Sequence, residues 1–119
     1  MSAAAGLAPA AGRVAPVTMS EMPEVWQAEW CPHSREVRQA LTELGIAFVA
    51  HQVAAEPDDR DAMQRAVGSR EIPVVRLPDG TLLDGDSDDI VAALRQRYPQ
   101  PAGAVAHRGK AAEKAAEGA

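Results

Sequence analysis

Short apolar runs and amphipathic stretches alternate along the chain between Pro23 and Tyr98. Glu24-Val25-Trp26-Gln27-Ala28 sets a β-branched residue beside an aromatic one, which predicts a short strand. After Trp30-Cys31, the residues Val37, Ala40, Leu41 and Leu44 recur at i, i+3, i+4 and i+7, the stripe of a helix. Pro32 suits its first position and Gly45 the residue beyond its end. Phe48, Val49 and Val53 give a second strand. Asp58 or Asp59 starts a second helix that carries Ala62, Met63, Ala66 and Val67 inward and stops at Gly68. Ile72-Pro73-Val74-Val75-Arg76-Leu77, the turn Pro78-Asp79-Gly80 and Thr81-Leu82-Leu83 read as a hairpin with a three-residue connection. Ser87 caps a last helix, with Asp88 and Asp89 at its positive end and Ile90, Val91 and Leu94 as its buried stripe. The order is βαβαββα. Strands separated by helices pair in parallel through a right-handed crossover, and the hairpin adds two antiparallel strands. The expected class is α/β, with a four-stranded mixed sheet, three helices and a core of modest stability.

The flanks change this picture little. Of the 25 alanines, 15 lie before Met22 or after Tyr98, so the ends are poor in core-forming side chains. Residues 1–21 read as a disordered leader, 22–98 as the folded domain, and 99–119 as a disordered or partly helical tail. Lys110 to Glu117 has helix-forming composition without an apolar face. Met1, Met19 and Met22 are each a candidate start.

Charge then narrows the partners. Between Met22 and Tyr98 there are 14 acidic and 8 basic residues, which argues against a phosphate backbone as partner and so against nucleic acid. No apolar run approaches the roughly 18 residues of a membrane span, and the N-terminus lacks the pattern of a signal peptide. The expectation is a soluble cytoplasmic monomer with no membrane partner.

Cys31 is the one cysteine in the sequence, which excludes an internal disulfide. His33, His51 and His107 show no paired spacing, so no metal is expected. If the first strand ends near Ala28 and the helix begins at Pro32, Cys31 stands at the helix N-cap. Unpaired N–H groups and the positive end of the helix dipole there favour the thiolate, bringing such thiols from about 8.5 to roughly 3.5–7.5. Ser34, three residues on, can donate a hydrogen bond to the sulfur. The alternative is a small inert buried thiol.

Trp30-Cys31-Pro32-His33-Ser34 resembles the Cys-Pro-x-Cys active site of glutaredoxins with serine in place of the second cysteine, the monothiol variant. Ile72-Pro73 looks like the cis-proline that faces the thiol in thioredoxin-like folds. Asp84 to Ile90 is similar both to the Gly-Gly-Cys-Asp-Asp of glutaredoxins and to the Glu-Ser pair of the glutathione transferase N-terminal domain. Together these motifs imply a thioredoxin-like fold over Pro23 to Tyr98.

The resemblance also implies roles. Cys31 is the nucleophile and Ser34 its hydrogen-bond donor. A cis bond before Pro73 leaves the backbone of Ile72 free to pair with an extended peptide such as glutathione. The N–H groups of Ser87 and Asp88 receive the γ-glutamyl carboxylate and the Asp88 carboxylate receives its amino group, with Asp86 among the residues that bind the ligand. Arg70 stands where glutaredoxins often place a basic or amide side chain near the glycyl carboxylate, with Arg35 and Arg38 as further candidates. Trp30 and Pro32 border the ligand, and His33 is a bystander. Two departures stand out: Ala28 replaces a lysine that many glutaredoxins carry, and the missing second cysteine makes a dithiol cycle impossible; Asp84, Asp86, Asp88 and Asp89 also make the rim acidic, disfavouring acidic protein substrates.

The implied function is glutathione-dependent reduction of mixed disulfides by one thiol, with glutathione or another low-molecular-weight thiol as co-substrate and S-thiolated proteins as substrates. Two alternatives stand beside it. One is a non-catalytic glutathione-binding domain of the glutathione transferase N-terminal type; the other is an iron–sulfur cluster carrier, against which Pro32 argues by stiffening the loop.

Overall fold

The computed structural model describes residues 19–101 and 103–118; residues 1–18 of the expected leader lie outside that range. The chain forms β1 (Glu24–Gln27), α1 (Pro32–Glu43), β2 (Val49–Gln52), α2 (Asp61–Val67), β3 (Val74–Arg76), β4 (Leu82–Leu83), α3 (Ser87–Arg97) and α4 (Ala104–Gly118). The sheet order is β2-β1-β3-β4. β1 and β2 are parallel, joined across α1, while β3 pairs antiparallel with both β1 and β4. This is the α/β architecture expected, with a fourth helix added.

The pleat of β1 divides the interior in two, because successive strand residues face opposite sides. Val25, paired with Val75, belongs to a cluster with Val37, Leu41 and Leu44 of α1 and Ile90 and Leu94 of α3. Trp26, paired with Val74, faces the other way onto Met63 and Val67 of α2. The helical stripe read from Val37 to Leu44 is thus the inner face of α1. It ends in two hydrogen bonds, Ile46 N–H to Leu41 C=O at 2.9 Å and Gly45 N–H to Thr42 C=O at 3.0 Å. These close the helix around Gly45 at φ 70, a left-handed turn that glycine adopts without steric cost.

Three elements differ from expectation. The second helix does not start at Asp58 or Asp59: Pro57–Asp59 is a single 3-10 turn, and α2 begins at Asp61. Arg60 breaks the helix because its guanidinium reaches back to three carbonyls, those of Ala54, Ala55 and Arg70, at 2.8–3.0 Å. Ser87 does not cap α3. The N-cap is Asp86, without a side-chain cap bond, and Ser87 is the first helical residue, its hydroxyl engaged instead by His33 at 3.2 Å. In the tail, residues 104–118 form α4. Ala104 is buried, and Arg108 reaches Glu43 of α1 at 3.4 Å and Gln100 at 3.1 Å, so the first turn is anchored although the rest lacks an apolar stripe.

Candidate functional site

The chain leaves β1 through a tight turn in which the Cys31 N–H bonds the Ala28 carbonyl at 3.1 Å. Cys31 then caps α1 with extended backbone (φ -81, ψ 120), Pro32 occupies the first turn, and the Cys31 carbonyl accepts the Arg35 N–H at 3.0 Å. Sequence and geometry agree here: a proline that cannot donate sits where no donor is needed.

At the thiol, burial opposes ionisation and is the largest influence. It is outweighed by hydrogen bonds from the Ser34 hydroxyl and from the backbone N–H groups of Ser34 and His33, with a smaller contribution from the Arg60 charge. The net effect holds Cys31 below the ordinary thiol value. The residue is 7% exposed and is absent from both apolar clusters. Ser34 is fully buried, and its oxygen also accepts the Ala28 N–H at 3.4 Å.

The Ile72–Pro73 peptide bond is cis. Because Trp26 pairs with Val74 across antiparallel strands, Pro73 lies at the sheet end where β1 runs out toward Cys31. Beside it opens a cavity of about 550 Å³. His33 and Glu36 of α1 form one wall; Ser69, Glu71, Ile72 and Pro73 form a second. The third is the turn from Asp84 to Asp88 that leads into α3. Of the expected site residues, Ile72, Pro73, Asp86, Ser87 and Asp88 line this cavity, whereas Trp30, Cys31, Pro32, Ser34 and Arg70 do not.

Trp30 stands 66% exposed in the turn before the thiol. Arg70 points elsewhere: it bonds Asp61 at 2.6 Å and the carbonyls of Pro57 and Asp58 at 3.1 Å. Arg38 bonds Gln27 and Glu29, and so is tied to the end of β1. His33, read as a bystander, instead joins the starts of α1 and α3 through Ser87 and lies 3.7 Å from Glu36.

Sequence reasoning missed Glu36, Glu71 and Arg60. Glu36 was within reach of helical spacing, since it stands one turn after His33 on the same face. Arg60 lies in an acidic run and carried no such signal, yet it is a 6%-exposed arginine whose guanidinium donates to three carbonyls. Among the described residues, no group of three or more His, Cys, Asp or Glu could hold a metal ion.

Residues 26–102 match the glutathione S-transferase N-terminal domain family. The chain belongs to that family. Among solved structures, this glutathione S-transferase N-terminal domain is similar to a diazinon-metabolizing glutathione S-transferase of the silkworm Bombyx mori. They share 24% identity and a TM-score of 0.56 over 66% of this chain and 39% of that one. It is also similar to glutaredoxin 2 of Salmonella typhimurium in complex with glutathione, at 20% identity and a TM-score of 0.57 over 68% of this chain and 36% of that one. These two likenesses establish the thioredoxin-like fold. A curated relative, the N-acetyl-S-hydroxy-L-cysteine reductase of Bacillus subtilis (strain 168), is 33% identical over 61 residues, which is 51% of this chain and 66% of that protein. The chain thus spans about two fifths of the length of these solved structures and about two thirds of the curated relative.

Proposed function

We propose that the protein is a monothiol, glutaredoxin-like thiol transferase working through Cys31. The observation that carries this reading is the thiol at the α1 N-cap, held below its ordinary pKa by Ser34 and two backbone N–H groups. The Cys31 thiolate attacks the glutathionyl sulfur of a mixed disulfide. The new Cys31–S bond forms as the old S–S bond breaks, and the substrate leaves as a thiolate that takes a proton from water. A second thiol, as its thiolate, attacks the sulfur attached to Cys31, forming a small disulfide and returning the Cys31 thiolate. One incoming thiol is oxidised and the substrate sulfur is reduced to a thiol, while the glutathionyl sulfur stays at the disulfide level, so the electrons balance.

Within this scheme Ile72 presents its backbone to the extended ligand, the start of α3 at Ser87 and Asp88 takes a carboxylate, and Asp86 and Asp88 face its ammonium. Glutathione or another low-molecular-weight thiol is the co-substrate, and S-thiolated proteins are the substrates. The Salmonella glutaredoxin is a glutathione complex, which supports a ligand of this class. Residues 22–98 are the working domain, acting as a monomer in the cytoplasm, where a lone thiol stays reduced. No helix among the described residues is long and apolar enough to cross a membrane.

A glutathionyl-transfer assay comparing the wild type with Cys31→Ser tests the reading: transfer collapses in the variant. Equal rates reject it, and ligand binding that persists without Cys31-dependent turnover favours a binding domain.

The Bacillus subtilis relative favours a second reading, reduction of an S-hydroxylated cysteine derivative. The same thiolate would attack the hydroxylated sulfur, the hydroxyl leaving with a proton as water; one thiol then attacks the Cys31 sulfur, releasing the reduced cysteine derivative, and a second attacks the sulfur now joined to Cys31, leaving as a disulfide with the first and freeing the Cys31 thiolate. Turnover of N-acetyl-S-hydroxy-L-cysteine, measured against mixed-disulfide turnover, separates the two.

A further inference from the structure

The wall of the 550 Å³ cavity carries five carboxylates, Glu36, Glu71, Asp84, Asp86 and Asp88, and neither lysine nor arginine among its lining residues. His33 is its one basic side chain, and it is occupied by Ser87 and Glu36. The α3 N-terminus supplies one place for an anion, because the first N–H groups of a helix have no carbonyl of their own helix to bond. A second anion finds no such partner. Arg70, the side chain placed by sequence to meet it, would have to abandon a 2.6 Å ion pair and two carbonyls. Its chain neighbour Glu71 lines the cleft.

We propose that this cleft selects a thiol with a single carboxylate beside its ammonium and a neutral or cationic far end, in preference to a tripeptide with two carboxylates. The inference rests on the thiol-transfer reading above and fixes the substrate class through the cleft beside Pro73, at the sheet end where β1 runs out toward Cys31. The ammonium and its neighbouring carboxylate fit the start of α3, where N–H groups and Asp88 adjoin. The far end of the ligand runs along Ile72 toward Glu71, where a negative charge is repelled and an uncharged or positive group is accepted.

The test uses the full chain and two probes that differ by one charge, glutathione and its ethyl ester at the glycyl carboxylate, with a neutral mixed disulfide as acceptor. Each rate is referred to the uncatalysed exchange of the same thiol. The expected kcat/KM for the ester exceeds that for glutathione by about fivefold at low salt, equivalent to about 1 kcal/mol for one screened charge contact. Salt on the order of 0.5 M compresses the ratio toward one, and so does Glu71→Gln. A Cys31-dependent activity in which glutathione equals or exceeds its ester overturns the inference and leaves the thiol-transfer reading standing. Absence of Cys31-dependent transfer with either thiol overturns that reading and the inference with it.

Discussion

Replacing Ser34 with alanine isolates the contact on which the chemistry of Cys31 depends. The Ser34 hydroxyl is the largest of the groups that lower the thiol pKa, ahead of the backbone N–H groups and Arg60. A hydrogen bond to a charged group contributes about 1.5–3 kcal/mol, so Ser34→Ala raises the Cys31 pKa. The cost to the fold is smaller, because the Ala28 N–H contact it also removes is long, at 3.4 Å. Ultraviolet absorbance of the thiolate during a pH titration reads the shift directly. Reactivity moves less than the pKa, because a more basic thiolate is also more nucleophilic. At a pH below both midpoints a 1-unit rise cuts the thiolate tenfold and recovers about half of that on a logarithmic scale, for a net loss of about threefold. A titration midpoint that moves by less than about 0.3 unit in a variant with unchanged circular dichroism refutes this account of the thiolate.

Arg60→Met removes the donor to the carbonyls of Ala54, Ala55 and Arg70 and should lower stability by about 3 kcal/mol, read as a drop in denaturation midpoint. Its effect on the thiol pKa should be smaller than that of Ser34→Ala, since the Arg60 charge is the weakest of the named influences; the reverse order would contradict the assignment. Glu24 bonds His51 at 2.9 Å and Arg76 at 3.0 Å, and Arg76 above all holds its carboxyl below the usual value of 4.5. The unfolded chain therefore binds this proton more readily, so the contribution is present above about pH 4.5 and is lost as pH falls through the folded pKa. Glu24→Gln should cost about 1 kcal/mol at neutral pH and nothing once the carboxyl is protonated; urea denaturation at the two pH values checks it, and a pH-independent difference would refute it.

The elements were legible where a local rule and the tertiary environment act in the same direction. Val37, Ala40, Leu41 and Leu44 recur at helical spacing, and all four are buried. Pro32 and Gly45 punctuate the same helix because the first position needs no donor and the left-handed exit needs no Cβ. Asp86 and Ser87 show the limit of such rules. Both residues are good caps, and the choice fell to Asp86 because the Ser87 hydroxyl has a rival partner in His33, 54 positions away in sequence. Arg60 fails for the same reason on a larger scale: helix propensity describes an arginine in an acidic run as an ordinary helical residue, whereas three carbonyls gathered from two loops hold it outside α2.

The site divides along the same line. The cysteine at the helix terminus and the cis-proline were legible because each position is a backbone feature tied to a residue type. Which charged side chains face the cleft was not, since an arginine between two acidic neighbourhoods goes to the nearer carboxylate and nothing in residue spacing ranks them. Arg70 has Asp61 within reach across the α2–β3 connection and takes it, and the adjoining Glu71 is left to the cavity wall. One side-chain orientation thus turns an expected anion subsite into an anion-repelling one while β3, Pro73 and Cys31 keep their places. The lowered pKa of Cys31 comes from Ser34, nearby backbone N–H groups and Arg60, and Glu71 is not among these groups, so Glu71→Gln should alter the preference between glutathione and its ester without moving the titration midpoint of Cys31.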